Sequence, residues 1–243
     1  GVANQVMTTI LGFSNNFLTA IRPQIVKLYA QEQIQDMQIL AERSSKFSFF
    51  LLFFISFPCF LELPFVLNLW LVNVPNWTVS FTRLSMLFNW NVTIFLPLMY
   101  IIHATGRMKR ISFINGTLYL MVLPITWFLF KEGLNPTTPF ILNAIFVLLG
   151  AGISNLYSIK LYIPSFQCLH YLKYSVMNGI LTVALGSVLP IVVKLYMPDD
   201  WMGFLIVCSV SVLSLGLSIL YVGLNMEERK NLVNLILKKI HVR

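Results

Sequence analysis

Charge is what this chain has least of. Only 11% of its 243 residues are Asp, Glu, Lys or Arg. Acidic residues are rarer than basic ones, with nine Asp and Glu against seventeen Lys and Arg. An average soluble domain carries about 25% charged residues. Since 57% of the residues are hydrophobic and twenty of them are Phe, the composition excludes a soluble globular domain and indicates a helical membrane protein.

The residue patterns of enzymes and metalloproteins are also missing from the sequence. It contains no glycine-rich phosphate loop, no paired catalytic carboxylates, no His/Cys cluster and no Ser/His/Asp set. The connections predicted on the outer side are short and nearly uncharged, which leaves no room for a catalytic centre. We therefore predict no enzymatic activity, no catalytic residues, no cofactor and no metal site.

Cysteine is scarce, and a signal peptide is lacking. Cys59, Cys168 and Cys208 lie in or beside apolar runs without paired spacing, so we predict reduced packing residues. No basic region followed by a short apolar core and a small-residue cleavage site is found at the start of the sequence.

Apolar runs long enough to cross a bilayer fill most of the chain. A spanning helix needs about 20 such residues, and the first of these runs is the least hydrophobic. We predict an all-α fold, a polytopic helical membrane protein with about seven transmembrane helices. The predicted spans are 2–22, 47–71, 79–103, 111–131, 137–160, 174–197 and 201–225. We group them as residues 1–160 with five spans, 161–225 with two additional spans, and 226–243 as a cytoplasmic amphipathic basic tail.

Positive residues collect on alternate connections between the spans. The connections at 22–46, 103–110 and 160–173 and the tail hold fourteen Lys and Arg, whereas the other side holds three of the seventeen. The positive-inside rule makes the fourteen cytoplasmic, which predicts an N-terminus outside and a C-terminus inside. The net charge of +8 is then mostly an orientation signal, and we predict no nucleic-acid partner.

This orientation carries an expectation about what precedes the chain. An outer N-terminus without a signal peptide, on a sequence that opens with Gly1, predicts an odd number of helices upstream, because these would bring a cytoplasmic start to the outer face. We expect the chain to be the C-terminal part of a longer transporter.

The first span has a polar side and an apolar side. At about 100° per residue its polar residues fall within about 60°, and two interpretations remain open for them. They form either a helix–helix seam of small polar residues or one wall of a water-filled translocation cavity. The polar residues are Asn4, Thr8, Asn15, Thr19 and Arg22. The far side, which we predict to face lipid, has Val6, Ile10, Phe13 and Phe17.

The third span has a polar stripe of its own, within about 80° at helical spacing. Its members are Thr82, Ser85, Asn89, Thr93, Tyr100 and His103. Arg83 lies at the outer end, where it either reaches the headgroups or meets an anionic substrate. We predict that His103 is an interfacial residue beside Arg107 rather than a proton relay.

Glu62 is the only acid inside a predicted apolar span, and it lies between Pro58 and Pro64. A carboxylate in a membrane is costly and usually faces protein or water. It is either a coupling group for a proton or cation, or an acid near the outer interface that reaches headgroups or pairs with Arg83.

Several short motifs resemble the polysaccharide (O-antigen type) flippases, which share a superfamily with the multidrug MATE exporters. Each motif is loose, but their order and spacing extend over nearly the whole chain. They are GVANQV at 1–6, PQIVKLYA at 23–30, LNLWL at 67–71 with VP at 74–75, ATGR at 104–107, and EER at 227–229 before the basic tail.

This resemblance implies a fourteen-helix transporter with two six-helix lobes around a central cavity. The present chain would supply the eighth to fourteenth helices, with residues 1–160 in the C-terminal lobe and 161–225 as two extra helices. Such flippases move undecaprenyl-diphosphate-linked oligosaccharide across the bacterial inner membrane for lipopolysaccharide biosynthesis. The implied partners are this lipid-linked oligosaccharide, the phospholipid bilayer and the missing N-terminal lobe, without which the cavity is incomplete.

Together these inferences predict substrate-binding residues on the two striped helices and one possible coupling residue, Glu62. Two alternatives stay open: a cation-coupled multidrug exporter of the same fold, and a non-transporting truncated membrane fragment. The predicted substrate-binding residues are Asn4, Thr8, Asn15, Thr19, Arg22, Arg83, Ser85, Asn89 and Thr93.

Overall fold

The structure is a computed structural model that describes residues 2–71 and 73–230, without the side chains of residues 2–4, 6, 7, 9 and 13. Its described elements are all helical. They are α1 Val2–Ala30, α2 Ile34–Leu61, α3 Leu63–Trp70, α4 Thr78–Thr105, α5 Lys109–Lys131, α6 Thr138–Tyr162, α7 Cys168–Tyr196 and α8 Trp201–Gly223.

Six of these helices, α2 and α4 to α8, are long and apolar enough to cross a membrane. The seventh long helix, α1, has 29 residues and is about 43 Å long at 1.5 Å per residue. The polar side of α1 lowers its mean hydropathy. The predicted fold class is confirmed: the chain is an all-α polytopic membrane protein of about seven helices.

Helix α2 is at the centre of the bundle. It contacts α1, α4, α7 and α8, and its phenylalanines make up much of the core, with Phe53 and Phe57 stacked at a centroid distance of 4.9 Å. Helix α5 is peripheral and packs mainly on α6. Its exposed side chains are largely apolar, as expected for a helix that faces lipid.

The connection predicted at 22–46 is mostly helical. Helix α1 continues to Ala30 and α2 starts at Ile34, so the reversal takes only residues 31–33, with Glu32 at a left-handed φ of 59°. The two helices therefore form a hairpin that extends past the apolar segments. Hydropathy shows only where the apolar residues end. A helix can continue beyond them into water because its backbone N–H and C=O groups remain hydrogen-bonded to one another.

The predicted span 47–71 is divided at Glu62, which ends α2 and precedes α3. Pro64 lies in the first turn of α3, where its missing N–H is tolerated. Helices α6, α7 and α8 each contain a π-helical segment, at Leu148–Ser154, Leu172–Met177 and Ile219–Gly223.

Short connections fold successive long helices back on each other, so that the helix ends gather at two ends of the bundle. We call one the basic end: it has the C-terminal ends of α1, α4, α6 and α8, and the N-terminal ends of α2, α5 and α7. All described Lys and Arg lie toward it except Arg83, Lys131 and Lys194. The predicted tail, 226–243, is described only as far as residue 230, and the rest of that prediction lies outside the described residues.

Candidate functional site

The polar stripe of α1 faces outward from the bundle. Thr8, Asn15, Thr19 and Arg22 are exposed, and the Thr19 hydroxyl donates to the Asn15 carbonyl oxygen at 2.7 Å. Thr8, Asn15 and Thr19 therefore pack in no helix–helix seam among the described residues. The side chain of Asn4, also predicted to belong to the stripe, lies outside them.

The apolar side of α1 is covered by protein, not lipid. Ile10, predicted to face lipid, is 7% exposed and packs among Leu52, Leu63 and Met86, and Phe17 is half-buried. That prediction was wrong, because a helix at the edge of a bundle buries its apolar side against the bundle core. The side chains of Val6 and Phe13 lie outside the described residues.

The polar stripe of α4 is mostly inside the bundle. Ser85 and Thr93 are buried and Asn89 is half-buried. The Asn89 amide donates to the Ser85 carbonyl oxygen at 2.7 Å, and the Thr82 hydroxyl donates to the Thr78 carbonyl oxygen at 2.8 Å. Such bonds within one helix satisfy polar side chains in an apolar environment.

The two stripes come together at the basic end. A guanidinium nitrogen of Arg22 lies 3.4 Å from Nδ1 of His103, and its carbon lies 5.9 Å from the centroid of the Tyr100 ring. His103 therefore contacts Arg22, whereas the Arg107 guanidinium lies over Tyr162, 5.4 Å from the ring centroid.

At the opposite end, Glu62 and Arg83 do not pair with each other. Glu62 is 1% exposed, and its Oε2 lies 2.8 Å from the ammonium group of Lys194, which also lies 2.6 Å from Asp199. The Nε of Arg83 donates to the Phe60 carbonyl oxygen at 3.1 Å. The proposed Glu62–Arg83 pair was wrong, because the end of α7 brings a nearer cation to the carboxylate.

The sequence did not predict a polar cluster at the basic end, which we call the basic-end clasp: Arg43, Lys46, Tyr174 and Glu228, of which Lys46 and Glu228 are buried. The Lys46 ammonium group lies 2.7 Å from Glu228 Oε2 and donates to the Tyr174 hydroxyl oxygen at 3.1 Å, while Arg43 lies 3.8 Å from the same carboxylate. The clasp joins α2 and α7 to the segment after α8. The only sequence signal was the helical phase of Lys46, which it shares with core phenylalanines such as Phe49.

Glu228 lies beyond the last membrane-length helix and is 7% exposed. Burial raises the pKa of its carboxyl group, but hydrogen bonds from Lys46 and Tyr174 and from the Asn225 backbone outweigh that effect, so the pKa is lower than the ordinary value. The carboxylate is therefore held in its charged form.

A second polar cluster adjoins the clasp. Oε1 of Glu42, on α2, accepts a hydrogen bond from Gln38 Nε2 at 2.7 Å and lies 2.9 Å from Nδ1 of His170 on α7. Nearby, Ser45 and Tyr171 have their hydroxyl oxygens 2.6 Å apart. Helices α2 and α7 are thus joined by side-chain contacts over two turns.

A small cavity of about 240 Å³ lies between α4, α5 and α6. Asn115 and Asn155 line it, and neither of their amide oxygens has a hydrogen-bond partner among the described residues. Gly150 permits the close approach of α5 here, since a Cβ at this position would lie 2.6 Å from the Asn115 amide oxygen.

Fold and site together define a polytopic α-helical membrane protein with an exposed polar stripe on a membrane-length helix. No protein-family model, no curated protein and no solved structure matches the chain.

Proposed function

We propose that the chain is the C-terminal portion of a transporter that moves undecaprenyl-diphosphate-linked oligosaccharide across the bacterial inner membrane by alternating access. The observation that supports this most directly is the outward polar stripe of α1. Asn15, Thr19 and Arg22 are exposed on a helix of 29 residues that packs alongside two apolar membrane-length helices.

Such a stripe is unfavourable against lipid. The Thr8 and Thr19 hydroxyls are satisfied within the helix, but an amide without a partner costs about 4–8 kcal/mol in hydrocarbon, and a charged arginine is also costly there. Polar side chains on a spanning helix therefore usually face water or polar protein. In a water-filled cavity beside α1, the sugar would form hydrogen bonds with polar side chains and water, while the lipid tail stays in the bilayer.

In this proposal the N-terminus of α1 is outside and the basic end is cytoplasmic. The missing N-terminal lobe faces α1 across the cavity, and the two lobes rock against each other. Arg22, at the basic end of the stripe, meets the diphosphate of the substrate when the cavity opens inward. Arg83, near the other end, is tied to the Phe60 carbonyl oxygen and has a smaller part in binding.

The pairing of Glu62 favours the flippase over a cation-coupled exporter. A coupling carboxylate must exchange its cation during each cycle, whereas Glu62 already has the Lys194 ammonium group at 2.8 Å. The further alternative is a non-transporting fragment, and it is tested by expressing the chain alone in cells that lack the full transporter. If the 243-residue chain alone restores export, it needs no second lobe and the proposal of an incomplete transporter fails.

The stripe is tested by removing its polarity in cells whose oligosaccharide export depends on this protein. We expect Asn15→Leu with Thr19→Leu to reduce the amount of exported oligosaccharide at equal protein level. Thr117→Leu is the matched control, because Thr117 is also exposed and its hydroxyl donates to the carbonyl oxygen four residues earlier, at 2.8 Å, but it lies on α5. Export that is unchanged in the Asn15/Thr19 variant would refute the cavity.

A further inference from the structure

A groove lies at the basic end, where the turn between α4 and α5 meets the end of α6. It has a volume of about 1010 Å³, and it combines three cations with an apolar floor. Its lining residues are Arg107, Lys109, Arg110, Phe113, Ile114 and Tyr162. We propose that this groove binds the phosphate headgroup of an anionic membrane phospholipid, with an acyl chain along α5. The proposal depends only on the membrane class of the protein, not on the transport function.

The positive charge of the groove is not neutralised by the protein. Arg107, Lys109 and Arg110 are all exposed, and none of them is in an ion pair with a carboxylate in the described part of the chain. Three like charges within four residues repel one another. An anion bound between them removes that repulsion and gains charge-assisted hydrogen bonds.

Two tyrosines hold the arginines in place without removing their charge. The Arg107 guanidinium carbon lies 5.4 Å from the centroid of the Tyr162 ring, and that of Arg110 lies 4.9 Å from the Tyr157 ring. A guanidinium group over an aromatic face keeps its N–H donors free at the edge of the plane. These donors are suited to the oxygens of a phosphate.

Helix α5 begins inside the groove. Lys109 is its first residue, and the residue before it, Met108, provides no side-chain cap. The first backbone N–H groups of a helix have no partners within the helix, and with the helix dipole they favour an anion. Gly106, at a left-handed φ of 69°, makes the tight turn that brings Arg107 next to this helix start.

The floor of the groove indicates a lipid and not a soluble phosphate. Phe113 is 75% exposed, and Leu120 and Trp127 follow it at seven-residue intervals with exposures of 71% and 61%. Residues seven apart lie on one side of a helix, so an apolar line runs from the cations along a membrane-length helix. A phospholipid matches both parts, since its headgroup is at the membrane surface and its chains run along the helix.

Titration of the purified chain in detergent with dioctanoyl phosphatidylglycerol, followed by native mass spectrometry, tests the headgroup site. The groove variant combines Arg107→Gln, Lys109→Gln and Arg110→Gln. The control combines Lys27→Gln, Arg229→Gln and Lys230→Gln, which removes the same charge at the same end. From the worth of each of the three removed cations near an anionic surface, we expect the groove variant to bind the lipid on the order of a hundredfold more weakly than the control. Equal affinities in the two variants would overturn the proposal.

Two further measurements distinguish a bound lipid from a bound free anion. Inorganic phosphate at the same concentration should not displace the lipid, and Phe113→Ser with Leu120→Ser should weaken lipid binding although all three cations remain. Displacement by equimolar inorganic phosphate, or full affinity in the Phe113/Leu120 variant, would refute the lipid assignment. Dioctanoyl phosphatidylcholine, whose headgroup has no net charge, should bind the wild-type chain more weakly; equal binding would refute a charge-selective site.

Discussion

The Lys46 ammonium group lies 2.7 Å from a carboxylate oxygen of Glu228, which follows it by 182 positions in the chain. Lys46 is 0% exposed and Glu228 is 7% exposed, so this is an ion pair largely removed from solvent. It joins the middle of α2 to the segment that leaves α8. Breaking one side of such a pair leaves a buried charge without its partner, which typically costs about 3–5 kcal/mol.

We expect Lys46→Met to lower the thermal unfolding midpoint strongly, because Glu228 then keeps only Tyr174, the Asn225 backbone N–H and the more distant Arg43. Adding Glu228→Gln to Lys46→Met should recover a large part of that loss, since the unpaired charge is gone. The measurement is the unfolding midpoint of purified variants in one detergent.

Arg43→Gln is the matched control for this pair. Arg43 is partly exposed and 3.8 Å from the Glu228 carboxylate, so we expect a loss of no more than about 1 kcal/mol. A double variant that is less stable than Lys46→Met alone would contradict the account of the buried pair.

The same carboxylate predicts a pH dependence. Because the pKa of Glu228 in the folded protein is lower than the ordinary value of 4.5, its ionisation stabilises the folded state at pH values above 4.5. That contribution is lost as the pH falls below 4.5 and through the lowered pKa. We expect Glu228→Gln to flatten the decline of the unfolding midpoint in this acidic range.

Glu227→Gln serves as the control for that experiment, since the Glu227 side chain is 86% exposed and lies 3.9 Å from Arg43. It should follow the wild-type pH profile. If both variants show the same profile as the wild type, the ion pair of Glu228 contributes nothing to stability in acid.

The helical class and most of the helix positions could be predicted because apolar length is a local property of the sequence. The Lys46–Glu228 pair could not, because its partners are far apart in the chain and only the packing of α2 against α7 and α8 brings them together. The arrangement of Asn15 and Thr19 on α1 could be predicted only in part. Their common side of α1 was predictable from helical spacing, but what covers the opposite side, at Ile10, depends on neighbours that periodicity does not specify.

Glu62 and Lys194 predict an asymmetry between two substitutions at the other end of the bundle. Lys194→Met should destabilise the protein more than Glu62→Gln does. Without Lys194, Glu62 is a buried carboxylate with no described cationic partner, whereas Lys194 without Glu62 keeps Asp199 at 2.6 Å and is 20% exposed. Thermal unfolding in detergent measures the difference.

Glu62→Gln also bears on the choice between the two transport functions. In the flippase proposal we expect oligosaccharide export to persist when it is corrected for protein level. Loss of a proton-dependent export activity at full protein level would favour the cation-coupled exporter instead. Asp199→Asn is the control, because Asp199 pairs with the same lysine but its side chain is 69% exposed.

Orientation and the accessibility of the stripe are tested together by cysteine labelling. In a background with Cys59, Cys168 and Cys208 replaced by Ser, a membrane-impermeant maleimide should label Asn135→Cys in intact cells, because the turn between α5 and α6 is predicted to be outside. Lys109→Cys, at the basic end, should be labelled only after permeabilisation. Labelling of both sites in intact cells would refute the orientation.

The same cysteine-free variant is used to test whether water reaches α1. Asn15→Cys and Thr19→Cys are at exposed positions near the middle of the helix, whereas Leu18→Cys replaces a residue that is 0% exposed. A thiolate reacts with maleimide only where water can support its ionisation. We therefore expect a small water-soluble maleimide to modify the first two positions and not the third. Protection of Asn15→Cys and Thr19→Cys to the level of Leu18→Cys would mean that lipid or tightly packed protein covers the stripe, and the translocation cavity would have to be abandoned.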